Sequence, residues 1–178
     1  MQEIEIKFKV DNLEKVKEFL KKEGCLFSPL LNQKDTIFVS DLDDVVVGEG
    51  KVFTRVRSVN GKYELNLKKQ SKKLMQSEEV EFEVSNYDEA LSFLELLDLK
   101  KWVVVEKKRI TTKYKDYNIC IDEVKRLGSF VEIEIVTSRK NNTDFYEKEI
   151  LGVAGELGID INNRINSFYD VMISELDK

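Results

Sequence analysis

Acidic and basic side chains fall at every second position in several stretches of this chain. Glu3, Glu5, Lys7 and Lys9 alternate with Ile4, Ile6, Phe8 and Val10. Arg55 and Arg57 flank Val56; Glu64, Asn66 and Lys68 alternate with Tyr63, Leu65 and Leu67. Glu79, Glu81 and Glu83 alternate with Val80, Phe82 and Val84. Lys107 and Arg109 share a parity, Asp122 lies opposite Ile119 and Ile121, and Glu132 and Glu134 alternate with Val131, Ile133 and Ile135. A period of two is the period of a strand, so each stretch has one apolar face and one charged face. Arginine and lysine hold phosphate oxygens, and carboxylates hold a hard cation such as Mg²⁺ or Mn²⁺. Faces carrying both signs suit a polyanion together with its metal.

The rest of the composition narrows the chemistry. The chain contains no histidine, which excludes a Ser-His-Asp triad, a Cys-His pair and a His-ligated zinc site. Cys25 and Cys120 give neither a disulfide framework nor metal-ligand spacing, and point to a reducing, cytoplasmic setting. The net charge is −5, so bulk attraction to nucleic acid or to an anionic membrane is not expected. No apolar run approaches bilayer length, and the N-terminus lacks a signal peptide's apolar core. GEGK at 48–51 lacks the spacing of a P-loop, and Asp41, Asp43 and Asp44 lack the glutamate of a calcium loop. Trp102, beside three valines, reads as packing on an outer face.

The elements that carry these faces follow from periodicity and punctuation. Residues 12–23 read as a helix with Leu13, Val16, Phe19 and Leu20 on one stripe, Asn12 as its cap and Gly24 as its end. Residues 86–99 read as a second helix on Ala90, Leu91, Leu94 and Leu97, and the tail from about Asn142 as two short helices around AGELGID. Asn60-Gly61 between two alternating runs is the strongest short signal for a hairpin. About eight strands result, joined mostly as antiparallel hairpins in a single domain over 1–178. The expected class is therefore α+β. The charged faces either meet water or turn inward in a closed eight-stranded antiparallel barrel with helices packed on the outside. Two points favour the barrel: closure removes sheet edges, and acids and bases are largely sorted onto different strands.

The order of these motifs resembles the CYTH superfamily, the triphosphate tunnel metalloenzymes. Glu3-Ile4-Glu5-Ile6-Lys7 resembles the family's N-terminal ExExK signature, and Gln33-x-Asp35 with Phe38 resembles its second strand. Arg55-x-Arg57, Lys68, Lys107-x-Arg109, IDEV at 121–124, LGSFVEIE at 127–134 and Ser167-Phe168-Tyr169 follow in family order. The length and the form of these motifs look closest to compact class IV adenylyl cyclase-like proteins. Ser77-Glu78-Glu79 departs from relatives that carry an arginine on the fifth strand.

The resemblance implies a tunnel that binds a triphosphate such as ATP, thiamine triphosphate or tripolyphosphate along its axis. In that setting Glu3, Glu5, Asp122, Glu132 and Glu134 are the expected ligands of one or two Mg²⁺ or Mn²⁺ ions. Lys7, Arg55, Arg57, Lys68 and Arg109 are the expected phosphate contacts, with Lys9 and Lys107 supporting them. Glu81 and Glu83 are expected either to orient the arginines or to serve as a further metal ligand, and Glu81 to hold or deprotonate a water. The implied reaction is either cyclisation of ATP to cyclic AMP and pyrophosphate or hydrolysis of a triphosphate. A rival reading is a polyphosphate- or nucleotide-binding module without turnover. An outward apolar face is able to support a homodimer.

Overall fold

The computed structural model describes residues 2–42, 52–70, 77–137 and 143–177, with the side chains of 2, 3, 70, 77 and 78 outside the description. The acidic stretch after Leu42 and the GEGK motif therefore lie outside the described residues. In chain order the elements are β1 (Gln2–Lys9), α1 (Leu13–Lys22), β2 (Leu31–Val39), β3 (Val52–Val59), β4 (Lys62–Gln70), β5 (Ser77–Val84) and α2 (Tyr87–Leu96). Then follow β6 (Lys100–Tyr114), β7 (Tyr117–Val124), β8 (Gly128–Thr137), α3 (Thr143–Glu156), a 3-10 turn at Ile161–Asn163, β9 (Arg164–Ile165) and α4 (Tyr169–Glu175). No helix among the described residues is long and apolar enough to cross a membrane.

The chain forms two compact units. One comprises residues 1–31 and 107–168, and the other comprises residues 32–106 and 169–178. In the first, the strands pair in the order β6-β7-β8-β1-β9. The apolar parity of β1, β7 and β8 places Ile4, Ile6, Phe8, Ile119, Ile121, Val131 and Ile133 in a core closed by α1 and α3. Asn12 caps α1 as expected: its side-chain oxygen accepts from the backbone N–H of Glu14 and Lys15, which would otherwise lack partners at a helix start. Leu13, Val16 and Leu20 face inward, and Ile150, Val153 and Ala154 do so from α3. The tail differs from two short helices around AGELGID. Residues 143–156 form one helix, Gly158 just beyond its end has a φ of +72° that suits glycine, and α4 follows the 3-10 turn.

In the second unit the order is β5-β4-β3-β2. Asn60 and Gly61 adopt φ of 48° and 83°, so the β3–β4 hairpin turns as its Asn-Gly pair predicts. Phe38, Val56 and Leu65 pack under Ala90 and Leu94 of α2, which Asn86 caps. Trp102 packs its ring on Phe53 with centroids 5.9 Å apart. Phe53 shares the parity of Arg55 and Arg57, so Trp102 is not simply outer-face packing.

All these pairings are antiparallel, and with the four helices among the described residues they establish the α+β class. Among the described residues the strands number nine rather than about eight, because two-residue β9 is too short to show a period. Within neither unit do the described pairings return on themselves, so the expected closure into a barrel is not seen in the hydrogen-bond pattern.

Candidate functional site

Register brings the charged positions of the first unit onto one face. Directly opposite residues of an antiparallel pair share a face, and here Glu5 faces Glu134, Lys7 faces Glu132, Arg109 faces Asp122, Thr111 faces Cys120, and Asn118 faces Glu134. The other face of the same strands is the apolar core, so this one must carry the polar side chains.

The cations and carboxylates of this face interlock. Arg109 donates from Nε to Asp122 Oδ1 at 2.6 Å and from Nη2 to Asp122 Oδ2 at 2.5 Å, and Nη2 also meets Glu132 Oε2. Lys107 Nζ lies 3.3 Å from Asp122 Oδ2. Lys7 Nζ lies 3.3 Å from Glu132 Oε1, 4.0 Å from Glu5 Oε1, and donates to the Ser167 carbonyl at 3.4 Å. Asp122 is fully buried (0%) and Glu132 nearly so, so these ion pairs are shielded from water. Glu134 accepts from the Asn118 amide at 2.9 Å.

The two classes of carboxylate differ in electrostatics. Burial pushes Asp122 up, but the Arg109 hydrogen bond and the charges of Lys107 and Arg109 outweigh it and hold the carboxyl below its usual range. Glu5 goes the other way. Burial, and then the Glu132 carboxylate, push it up against the pull of Lys7 and Arg109, with Glu134 adding to the rise. Burial also pushes the Cys120 thiol up to about 12, which leaves it protonated and neutral.

The second unit repeats the mixture. Arg57 grips Asp35 from Nε at 2.8 Å and Nη2 at 2.9 Å, and Gln33 donates to the same carboxylate at 2.9 Å. Arg55 lies 3.9 Å from Asp35 and 3.8 Å from Glu81, which also accepts from Asn66 at 3.3 Å. Lys68 pairs with Glu79 at 3.0 Å. The Arg55 Nε is buried without a hydrogen-bond partner, and burial followed by the neighbouring Arg57 pulls its pKa down. Two adjacent guanidinium groups, one with an orphaned donor, form a site that an anion would satisfy.

Among the expected metal ligands, Glu5, Asp122, Glu132 and Glu134 share the first unit's face. Glu3 pairs its backbone with Val136, but its side chain lies outside the described residues. Asp122 and Glu132 are engaged by cations, which leaves Glu5 and Glu134 as the facing pair. Among the described residues no three carboxylates or thiols stand assembled as a metal cage. Of the expected cations, Lys7, Lys107 and Arg109 meet on the first unit's face, Arg55, Arg57 and Lys68 lie on the second unit's sheet, and Lys9 is exposed opposite Phe130. Glu81 pairs with Arg55, whereas Glu83 is exposed and faces Glu64. Asn118 was not among the expected residues, although it shares the parity of Cys120 and Asp122. Asp35 emerges as the carboxylate that orients Arg57.

Both depressed aspartates predict a pH response. Asp35 is buried, and its bonds to Arg57, the Arg55 charge and Gln33 overcome that burial to keep its carboxyl low. A carboxyl with a folded pKa below its unfolded one stabilises the fold above the unfolded value. That stability is lost as pH falls through the folded value. Unfolding midpoints in urea should therefore drop steeply below the ordinary aspartate range of about 4. In Asp122→Asn that part of the slope should be missing; an unchanged slope would contradict the pairing.

The chain is similar to known proteins. A family model described as the CYTH domain matches residues 1–169. A Methanocaldococcus jannaschii protein named "Putative adenylate cyclase" is 31% identical over 172 residues, covering 95% of this chain and 97% of the relative. A solved structure of the PH1012 protein from Pyrococcus horikoshii matches with a TM-score of 0.77 at 28% identity, over 96% of this chain and 98% of that one. A Hippeastrum protein matches in fold with a TM-score of 0.66 at 18% identity, over 99% of this chain and 97% of that one. It is described as a "putative adenylyl cyclase" with a dominant triphosphatase activity.

Proposed function

Because the chain belongs to the CYTH domain family, we propose that it is a divalent-metal-dependent enzyme acting on a triphosphate. One observation carries the reading. Glu5 and Glu134 face each other in register, on a face that also holds Lys7, Lys107 and Arg109. Two facing carboxylates repel, and the Glu5 carboxyl is raised chiefly by burial and then by the Glu132 carboxylate, with Glu134 adding a smaller part. Hard oxygen donors of this kind fit Mg²⁺ or Mn²⁺. Glu5 and Glu134 would hold the ion, with Glu3, Glu132 and Asp122 as the further carboxylates of the set. When bound, such an ion neutralises charge on phosphate oxygens.

The remaining roles belong to the chain's own side chains. Lys7, Arg109, Arg55, Arg57 and Lys68 would hold phosphate oxygens, supported by Lys107 and Lys9. Arginine suits this because its planar fork meets two oxygens at once. Asp35 and Asp122 keep Arg57 and Arg109 oriented by two-pronged hydrogen bonds. Glu81, 3.8 Å from Arg55, is the carboxylate to position or deprotonate an attacking water, with Glu83 beside it. No covalent intermediate on the protein is required, since phosphoryl chemistry of this kind rests on positioning and charge.

The nucleophile decides the product. Attack of a ribose 3′-hydroxyl on the α-phosphorus of ATP gives cyclic AMP and pyrophosphate. Attack of water on a terminal phosphorus gives orthophosphate. Both are kept because one relative is named for a cyclase and one neighbour in fold for a triphosphatase activity. Incubation with ATP, thiamine triphosphate and tripolyphosphate in the presence of Mg²⁺ or Mn²⁺, followed by product analysis, separates them. Cyclic AMP with pyrophosphate establishes the cyclase and orthophosphate the hydrolase. Binding without any product favours the non-catalytic module. The reading places the enzyme in the cytoplasm, where Cys25 and Cys120 remain free thiols, as they are here.

A further inference from the structure

The chain that follows α3 returns to the charged face of the first unit as a strap. Asp160 starts it: its side-chain oxygen accepts from the Asn162 backbone N–H and from the Asn162 amide, both at 2.9 Å. Short polar side chains bond nearby backbone in this way and fix a turn. The 3-10 turn at Ile161–Asn163 then feeds β9, which lies along β1 with Arg164 opposite Phe8 and Ile165 opposite Lys7. The strap reaches the candidate site at Ser167, whose carbonyl accepts from Lys7 Nζ at 3.4 Å.

Lys7 is thus drawn toward both edges of β1. Glu132 on β8 lies 3.3 Å from its Nζ and Glu5, on β1 itself, 4.0 Å, while the Ser167 carbonyl comes from the β9 side. The strand order β8-β1-β9 sets these pulls against each other. A lysine is a compact charge on a flexible stem, with much rotamer freedom to lose. Drawn fully onto the carboxylates, the ammonium is neutralised. A neutral carbonyl holds it by a weaker bond and leaves more of its charge for an anion.

A two-residue strand makes too few ladder bonds to fix that carbonyl by itself. An ion pair adds the missing anchor. Arg164 donates from Nη1 to Glu147 Oε2 on α3 at 3.1 Å, and from Nε to the side-chain oxygen of Asn166, next to Ser167, at 3.0 Å. The helix is itself held, because Ile150, Val153 and Ala154 are buried in the same core as Ile6 and Phe8. A continuous path runs from α3 through Glu147, Arg164 and Asn166 to the Ser167 carbonyl and Lys7.

We propose that Arg164 and Glu147 are positioning residues for the reaction: their ion pair latches the strap so that the Ser167 carbonyl holds Lys7 where it meets a phosphate oxygen. The proposal rests on the triphosphate reading above. Neither residue touches the substrate, and both act through Lys7.

The test is equilibrium binding of tripolyphosphate in EDTA, measured by calorimetry on the full chain, since a lysine–phosphate contact needs no metal. The Arg164 and Glu147 side chains are 35% and 36% exposed, so folding is not at stake in their variants. Arg164→Gln and Glu147→Gln should each weaken binding about threefold, the scale of a partly exposed ion pair. The two remove charges of opposite sign, so an effect of bulk charge on an anion would move them in opposite directions. Combining them should weaken binding no further than either alone, because each already breaks the same latch. Lys7→Met should weaken binding more than either, and adding Arg164→Gln to it should change nothing further. A strap that serves only the fold would give additive losses instead. The latch is overturned if the wild type binds and Arg164→Gln leaves its affinity unchanged, if Glu147→Gln strengthens binding, or if the losses add in either combination. A wild type that binds no tripolyphosphate overturns the phosphate contacts of the triphosphate reading and the latch with them.

Discussion

Glu134→Gln is expected to lower Mg²⁺- or Mn²⁺-dependent turnover of triphosphate by about a hundredfold or more while leaving the fold intact. The size follows from the loss of one charged donor in a site whose work is electrostatic. Glutamine has the shape of glutamate, and its carbonyl oxygen can still accept from the Asn118 amide, so the local geometry survives. The stability effect has the opposite sign to the functional one. Glu5 and Glu134 face each other in register, and removing one of two like charges relieves repulsion in the metal-free protein. The thermal midpoint without metal should stay level or rise slightly, while the Glu5 carboxyl, raised mainly by burial and Glu132, should stay raised. A merely structural Glu134 would show the reverse: a lower midpoint with turnover preserved. Activity assays and a thermal melt on the same preparation distinguish the two.

Arg109→Met is expected to cost about 3 kcal/mol of folding stability, the lower end of what breaking a buried ion pair costs. Arg109 meets both Asp122 and Glu132, which are 0% and 6% exposed, so its loss strands charge that water cannot reach. The estimate stays at the low end because Lys107 remains beside Asp122 and Lys7 beside Glu132. Arg109→Lys should recover only part of the loss, since an ammonium cannot reproduce the two-pronged bond to Asp122. Urea unfolding measures both, and a change within about 0.5 kcal/mol, typical of an innocuous surface substitution, would contradict this pairing scheme.

Much of this arrangement is legible as alternation. Ile4, Ile6 and Phe8 against Glu3, Glu5 and Lys7 already separate the core face of β1 from its polar face. The same parity sorts Ile119 and Ile121 from Asp122, and Ile133 from Glu132 and Glu134. Asn60-Gly61 and the Asn12 cap are equally plain, because each solves a local backbone problem. Register is not local. That Glu5 meets Glu134 while Lys7 meets Glu132 depends on how β1 is laid against β8, and alternation alone is silent about such an offset. Pairing preferences among charges also escape it. The type of Asp122 does not say that Arg109 and Lys107 would lie against its oxygens. Asn118 shares the visible parity, but its importance lies in the one carboxylate it touches. Barrel closure is a property of twist and stagger along all the strands, which no single stretch encodes.

The most direct test of the central claim is phosphate and pyrophosphate release by the purified protein from ATP and tripolyphosphate, run side by side with Mg²⁺, with Mn²⁺ and with EDTA, on wild type and Glu134→Gln. Release with either metal in the wild type, abolished by EDTA and reduced at least about a hundredfold in Glu134→Gln, is the predicted result. Equal release with EDTA, or none under any condition from a protein that melts cooperatively, would contradict it.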